Sequence, residues 1–247
     1  MDNPNLARKV SGPRWPAPRL YRLGGLAGTL LMLAGLSGCA GMPGAAGEAS
    51  SEDSEPPLEV SCRRQVQPEA QIHLDLVDRL SEGNKPYAAL AQLEGKPMDS
   101  HGHWVRKGRL LASTQRLSDA QRLFQALVDQ CGTGEAYHGL GMVLLKSWRV
   151  EDGLRQLRIA RAEAPASANI RNDYGYALLM NGEYDHAAYE LRTALELADG
   201  QGPVRQNLAA AYLLTDNDPG LRMLTERYNF GVDEFAHARR LAERLRR

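Results

Sequence analysis

From about Gln65 onward, apolar side chains recur three and four residues apart, broken every dozen or so residues by Gly, Asn, Asp or Pro. That spacing places them on one face of successive helices. No stretch alternates apolar and polar residues as a half-buried strand would, so the expected fold is all-α, with about ten or eleven helices. The first part of the chain has a different pattern. Arg8, Lys9, Arg14, Arg19 and Arg22 precede an apolar, Gly-rich run from Leu23 to Leu36. The run is too short to span a bilayer comfortably. Basic segment, apolar core and small residues, in that order, read as a secretory signal. Residues 40 to about 60 are rich in Gly, Ala, Ser, Glu and Pro, with almost no large apolar side chain. Such a stretch buries too little to order itself and is expected to be a flexible tether.

The helical part repeats. Gly141 and Gly175 are 34 residues apart, as are Leu144 and Leu178, Leu157 and Leu191, and Ala160 and Ala194. One unit supplies Tyr137, Leu140, Gly141, Leu144, Gly153, Leu157, Ala160 and Pro165. The next supplies Tyr174, Gly175, Leu178, Gly182, Tyr184, Ala187, Leu191 and Ala194. An earlier unit, one residue out of phase, supplies Trp104, Gly108, Leu111, Leu117, Ala120, Phe124 and Leu127. A fourth opens at Asn207-Leu208-Ala209-Ala210-Ala211-Tyr212. Period and residue types resemble the tetratricopeptide repeat. In such a unit two helices form a hairpin. Small residues let the helices approach, large ones fill between them, and neighbouring hairpins must stack to bury their apolar faces. Gly182 is expected in a hairpin turn with a left-handed backbone.

The resemblance implies a right-handed superhelix over residues 101–228. A degenerate hairpin at 65–98 precedes it, and an amphipathic cap at 231–247 follows. The cap presents Phe235, Ala238, Leu241, Ala242 and Leu245 on one face. The arginines Arg239, Arg240, Arg244, Arg246 and Arg247 form its solvated side, where cations suit a helix C-terminus.

Leu36-Ser37-Gly38-Cys39 ends the apolar run and resembles the lipobox of bacterial lipoproteins. The resemblance implies cleavage after residue 38, a lipid on the Cys39 thiol and an acylated new amino terminus. Residues 39–64 then form the lipidated start and linker. Removing residues 1–38 leaves 25 basic and 29 acidic residues. This mild acidity speaks against general nucleic-acid binding. Ala40, in place of the Asp that marks inner-membrane retention in well-studied lipoproteins, points to the outer membrane, facing the periplasm.

Two further cysteines remain in an oxidising compartment. Cys62 precedes the first hairpin and Cys131 follows the second, so stacking puts both at one edge of the array. They fit either a disulfide or two separate thiols, one exposed and one half buried.

No nucleophile elbow, phosphate loop or zinc-protease motif occurs. Cys131-Gly132-Thr133-Gly134 follows a helix and reads as a connector. His101 and His103 lack a third ligand nearby and read as a surface turn leading to Trp104. The carboxylates fall on polar helix faces, as solvated helices show. No catalytic residue, metal site, cofactor or small-molecule substrate is therefore expected, beyond the covalent lipid.

An array of this kind is a scaffold whose concave groove holds a partner segment. Family geometry implies groove positions at Arg106, Arg109, His138, Met142, Asn169, Asn172, Asp173, Tyr176, Gln206, Asn207 and Ala210. Asn172, Gln206 and Asn207 would bond a peptide backbone; Arg106 and Arg109 would meet an acidic group.

The run from Asn172 to Leu179, then Gly182-Glu183-Tyr184 and Leu191-Arg192 through Leu197, with Asn207–Tyr212, is similar to the TadD-type lipoproteins of tight-adherence (Flp) pilus assembly. That resemblance covers roughly residues 100–214. It implies a pilotin-like role, binding a secretin in the periplasm. The type IV pilus pilotins, also repeat-bearing lipoproteins, and a general envelope assembly scaffold are the alternatives.

Overall fold

A computed structural model describes residues 58–246. The leader, Cys39, the linker up to residue 57 and Arg247 lie outside the described residues. Eleven α-helices follow in order: α1 (Pro68–Glu82), α2 (Pro86–Glu94), α3 (His101–Ser113), α4 (Leu117–Cys131), α5 (Gly134–Lys146), α6 (Val150–Glu163), α7 (Ala168–Met180), α8 (Tyr184–Leu197), α9 (Val204–Leu214), α10 (Asp218–Tyr228) and α11 (Val232–Leu245). No strand occurs among the described residues. None of the described helices is long and apolar enough to cross a membrane.

Consecutive helices pair as hairpins, and the odd-numbered helices also touch one another from α3 to α9. Five hairpin turns share one construction. Each has three residues between its helices, and the middle one has positive φ: Asn84 at 56°, Gln115 at 65°, Trp148 at 61°, Gly182 at 80° and Asp216 at 50°. In each, the third residue's N–H closes back on a large apolar residue of the preceding helix. The pairs are Lys85 to Leu80, Arg116 to Leu111, Arg149 to Leu144, Glu183 to Leu178 and Asn217 to Tyr212, all at 2.8–3.0 Å. This is the Schellman closure, which satisfies carbonyls that the helix end would leave open. The expected turn at Gly182 is one of five, and the others have no glycine at the positive-φ position.

The small residues serve close packing. A Cβ on Gly141 would lie 2.7 Å from Leu157 Cγ, and one on Gly175 would lie 2.5 Å from Leu191 Cγ. One unit earlier the same spacing pairs Gly108 with Phe124, at 2.6 Å. Leu74, Val77, Leu93, Leu123, Phe124 and Leu140 belong to one buried cluster; Leu157, Leu178, Leu191, Leu208 and Leu224 belong to a second. The two meet along α5, where Leu144 joins the first and Leu145 the second. α11 closes the C-terminal end by lying on α9, with Ala238, Leu241 and Ala242 buried. Arg205 on α9 holds Glu234 on α11 through two hydrogen bonds of 2.7 and 2.9 Å. That pairing, with the Gly231 N–H, keeps the Glu234 carboxyl below its ordinary pKa.

The end of the expected linker is bound to the array. Cys62 and Cys131 form a disulfide with Cα atoms 5.4 Å apart. The Gln130 side chain accepts from Val60 N at 3.2 Å and donates to Leu58 O at 2.8 Å. Ser61 Oγ donates to Asp99 O, and His101 N donates to Arg63 O at 2.8 Å, closing the first turn of α3. Residues 58–64 thus form a strap across the junction of the first two hairpins. The bond closes a loop of 69 residues, so removing it loosens the unfolded chain as well as the strap. Replacing both cysteines with serine is expected to cost about 2–4 kcal/mol. Urea unfolding with and without a dithiol reductant checks this. If reductant leaves the wild-type midpoint unchanged, the strap contributes nothing.

Candidate partner-binding groove

The nominated groove residues sit on the odd-numbered helices, but most of their polar atoms are already engaged. Arg106 on α3 grips Asp78 on α1 with two hydrogen bonds, 2.8 and 2.6 Å. His138 Nε2 on α5 lies 2.7 Å from Asp173 Oδ2 on α7. Asn172 donates to Asp173 Oδ1 at 3.0 Å and accepts from Asn207 on α9 at 2.9 Å. With Arg205 and Glu234 these links tie α1 to α3, α5 through α7 to α9, and α9 to α11. Asn172 and Asn207 are spacers of the array before they are peptide ligands.

Ala210 does not belong to the groove. It is fully buried, as are Leu208, Ala209 and Ala211 around it, because α9 is enclosed by α7, α8, α10 and α11. The remaining nominated residues form an open set. The side chains of Arg109, Asn169 and Gln206 make no hydrogen bond among the described residues, and Met142 and Tyr176 are partly exposed against the core. The Arg109 side chain is exposed to water but close to the protein around it. Reduced hydration there pushes its pKa down. Arg106 adds to the push, while Asp78, Glu135 and Asp173 oppose it.

His101 and His103 are not a surface turn. Both are buried in the first turn of α3. His101 Nε2 is 2.8 Å from Thr133 Oγ1, and His103 Nδ1 is 2.6 Å from Ser100 Oγ. Burial lowers both pKa values from the ordinary 6.5 against the pull of Glu135 and Asp99. Among the described residues no group of three or more His, Cys, Asp or Glu side chains could hold a metal ion.

Glu190 also departs from the expectation that carboxylates lie on polar faces. Its side chain is completely buried on α8, 2.5 Å from Arg171 Nη1 and 2.9 Å from Arg161 Nη2. The signal was available: Ala187, Glu190, Leu191 and Ala194 fall on one helical stripe, and the other three are core residues. Away from the groove, an open trough of about 820 Å³ runs along α4, floored by Trp104 and Leu111 and ending at Leu58. Its cations are largely spoken for, Lys107 by Glu94 and Arg116 by Asp119.

Stacked hairpins with this turn, this glycine packing and a polar ladder between first helices define a tetratricopeptide-repeat protein, and the chain is one. It is 34% identical over 166 residues to a TPR repeat-containing protein of Pseudomonas aeruginosa, a match taking in 66% of each chain. The chain thus spans about 66% of the length of that curated relative. No family model matches the chain. Its fold resembles the crystal structure of a thermophilic TPR protein of Thermus thermophilus, with a TM-score of 0.57 and 21% identity. That likeness covers 69% of this chain and 97% of the other.

Proposed function

We propose that the chain is a non-enzymatic outer-membrane lipoprotein that captures a protein segment in its groove and holds it at the membrane through a lipid on Cys39. The partner in this reading is a secretin of tight-adherence pilus assembly, and the role is that of a pilotin. The observation that carries the groove half is the division of its polar residues. The laddered set, Arg106–Asp78 and His138–Asp173–Asn172–Asn207, fixes neighbouring first helices against one another. The open set, Arg109, Asn169 and Gln206 beside Met142 and Tyr176, faces a wall already ordered, so a partner meets it at reduced entropic cost. A cation, two amides and apolar surface suit a segment carrying an acidic group and aliphatic side chains. The lipid supplies membrane affinity and the groove supplies partner choice. No cofactor, nucleic acid or small-molecule substrate enters this role.

Capture from detergent extract tests it. Wild type should co-purify a secretin, and Arg109→Glu with Tyr176→Ala should reduce capture at least about tenfold, the loss expected for ~1.4 kcal/mol. Cys39→Ala should keep capture and lose membrane delivery. Recovery of a type IV pilus secretin, or of a peptidoglycan hydrolase without any secretin, would refute the tight-adherence assignment in favour of the corresponding alternative.

A further inference from the structure

The five hairpin turns lie along one edge of the array, because the hairpins stack in parallel; the Cys62–Cys131 bond lies along the opposite edge. Along that turn edge the side chains are sorted. The first three turns carry Lys85, Arg116 and Arg149 as their third residue; the fourth carries Glu183 there, and the fifth carries Asp216 at its middle position. Trp148 and Tyr87 stand on the cationic part, 82% and 72% exposed. Each has a lysine two residues before it, Lys146 and Lys85, both exposed and without an ion pair among the described residues.

Trp148 is the unusual member. It holds φ 61° at the turn position where the next unit uses Gly182. A bulky residue there is strained, and an indole this exposed recovers nothing from packing. Strain kept at an exposed aromatic calls for a role outside the fold. We infer that this cationic, aromatic stretch of the turn edge rests on an anionic phospholipid surface. Tryptophan and tyrosine favour the headgroup region, and lysines beside them are drawn to anionic lipid. A bilayer fits better than a protein partner. Trp148 stands on a turn tip and Tyr87 in the first turn of α2 beside the preceding turn, whereas aromatic anchors of protein interfaces fill packed pockets. The notch beside Trp148, bounded by Val150, Met180 and Asn181, is shallow and open. Glu183 and Asp216 repel the same surface, so contact tilts the array with its first three hairpins down. Arg116 and Arg149 contribute less, being paired with Asp119 and Asp152, and Glu151 opposes. The inference does not depend on the groove reading.

The test uses full-length protein with brominated phosphatidylethanolamine–phosphatidylglycerol vesicles, and brominated phosphatidylcholine vesicles as the neutral arm. The Trp148 signal is taken by difference from Trp148→Phe. It should shift to the blue and be quenched on the anionic vesicles, weaken with added salt, and fall severalfold in Lys85→Glu/Lys146→Glu. Trp148→Gly should fold at least as stably as wild type, which separates lost contact from lost folding. Equal quenching on both vesicle types and in the double variant would mean that a lipid or leader alone brings the ring near, and the inference fails. It fails equally if no quenching occurs; a crosslinker at position 148 that then traps a protein makes the edge a protein interface.

Discussion

Phe124→Ala is expected to cost about 3–5 kcal/mol, the range for deleting a fully buried phenylalanine whose site cannot collapse. The site is rigid because two glycines from different helices shape it. Phe124 is 1% exposed. A Cβ on Gly108 of α3 would fall 2.6 Å from its ring, and one on Gly139 of α5 would fall 2.0 Å from Cε1. The ring therefore sits between the second hairpin and the third, where later units use the smaller Leu157 and Leu191. Urea unfolding followed by circular dichroism should show a lower midpoint with little change in slope. The complementary change tests the cause. Gly139→Ala alone overpacks the ring and should cost about 1–3 kcal/mol. In a Phe124→Ala background the same methyl enters the vacated space and should be close to neutral, since contacting sites couple. An equal penalty in both backgrounds would disprove the wedge.

What the sequence revealed depended on how each feature is encoded. Gly141 and Gly175, with Leu157 and Leu191, lie in strict period because their contacts are made within a hairpin of constant size. The turn anchors Leu80, Leu111, Leu144, Leu178 and Tyr212 are spaced by 31, 33, 34 and 34 residues, so the first hairpin drops out of phase although its turn is built identically. The variation arises in the second helices as well as in the connectors: α2 has nine residues where α6 and α8 each have fourteen. The sequence placed the nominated residues on first helices but did not show what each one bonds. Whether Asn172 meets a peptide or Asn207 depends on the rise between hairpins, a tertiary quantity. The strap escaped notice because its ties come from side chains and backbone of α3, α4 and the loop between α2 and α3, none of which marks residues 58–64 in the sequence. Gln115 and Trp148 concealed left-handed turns that glycine, asparagine or aspartate would advertise.

The buried ion cluster on α8 makes the second large prediction. Glu190→Ala should destabilise the protein by about 3–5 kcal/mol, because it leaves two arginines from neighbouring helices without their counter-charge. Arg171 comes from α7, with 13% of its side chain exposed, and Arg161 from α6, with 34%. Arg171 also donates to Pro165 O, and Arg161 lies over the Tyr174 ring at 5.9 Å. The cluster therefore joins the third and fourth hairpins across the connector at Pro165, and its loss should free α7 and α8 together. Hydrogen exchange should show both helices losing protection in Glu190→Ala while α1 to α4 keep theirs. Asp152→Ala is the control: that carboxylate pairs with Arg149 and Arg155 on the surface, where screening leaves little to lose. Replacing all three charges, as Glu190→Leu with Arg161→Met and Arg171→Met, should recover most of the stability, since an apolar cluster of similar volume avoids the desolvation cost of buried ions. If the triple variant is as unstable as Glu190→Ala, the arginines hold α6 and α7 through Pro165 and Tyr174, and the carboxylate is not the centre of the cluster.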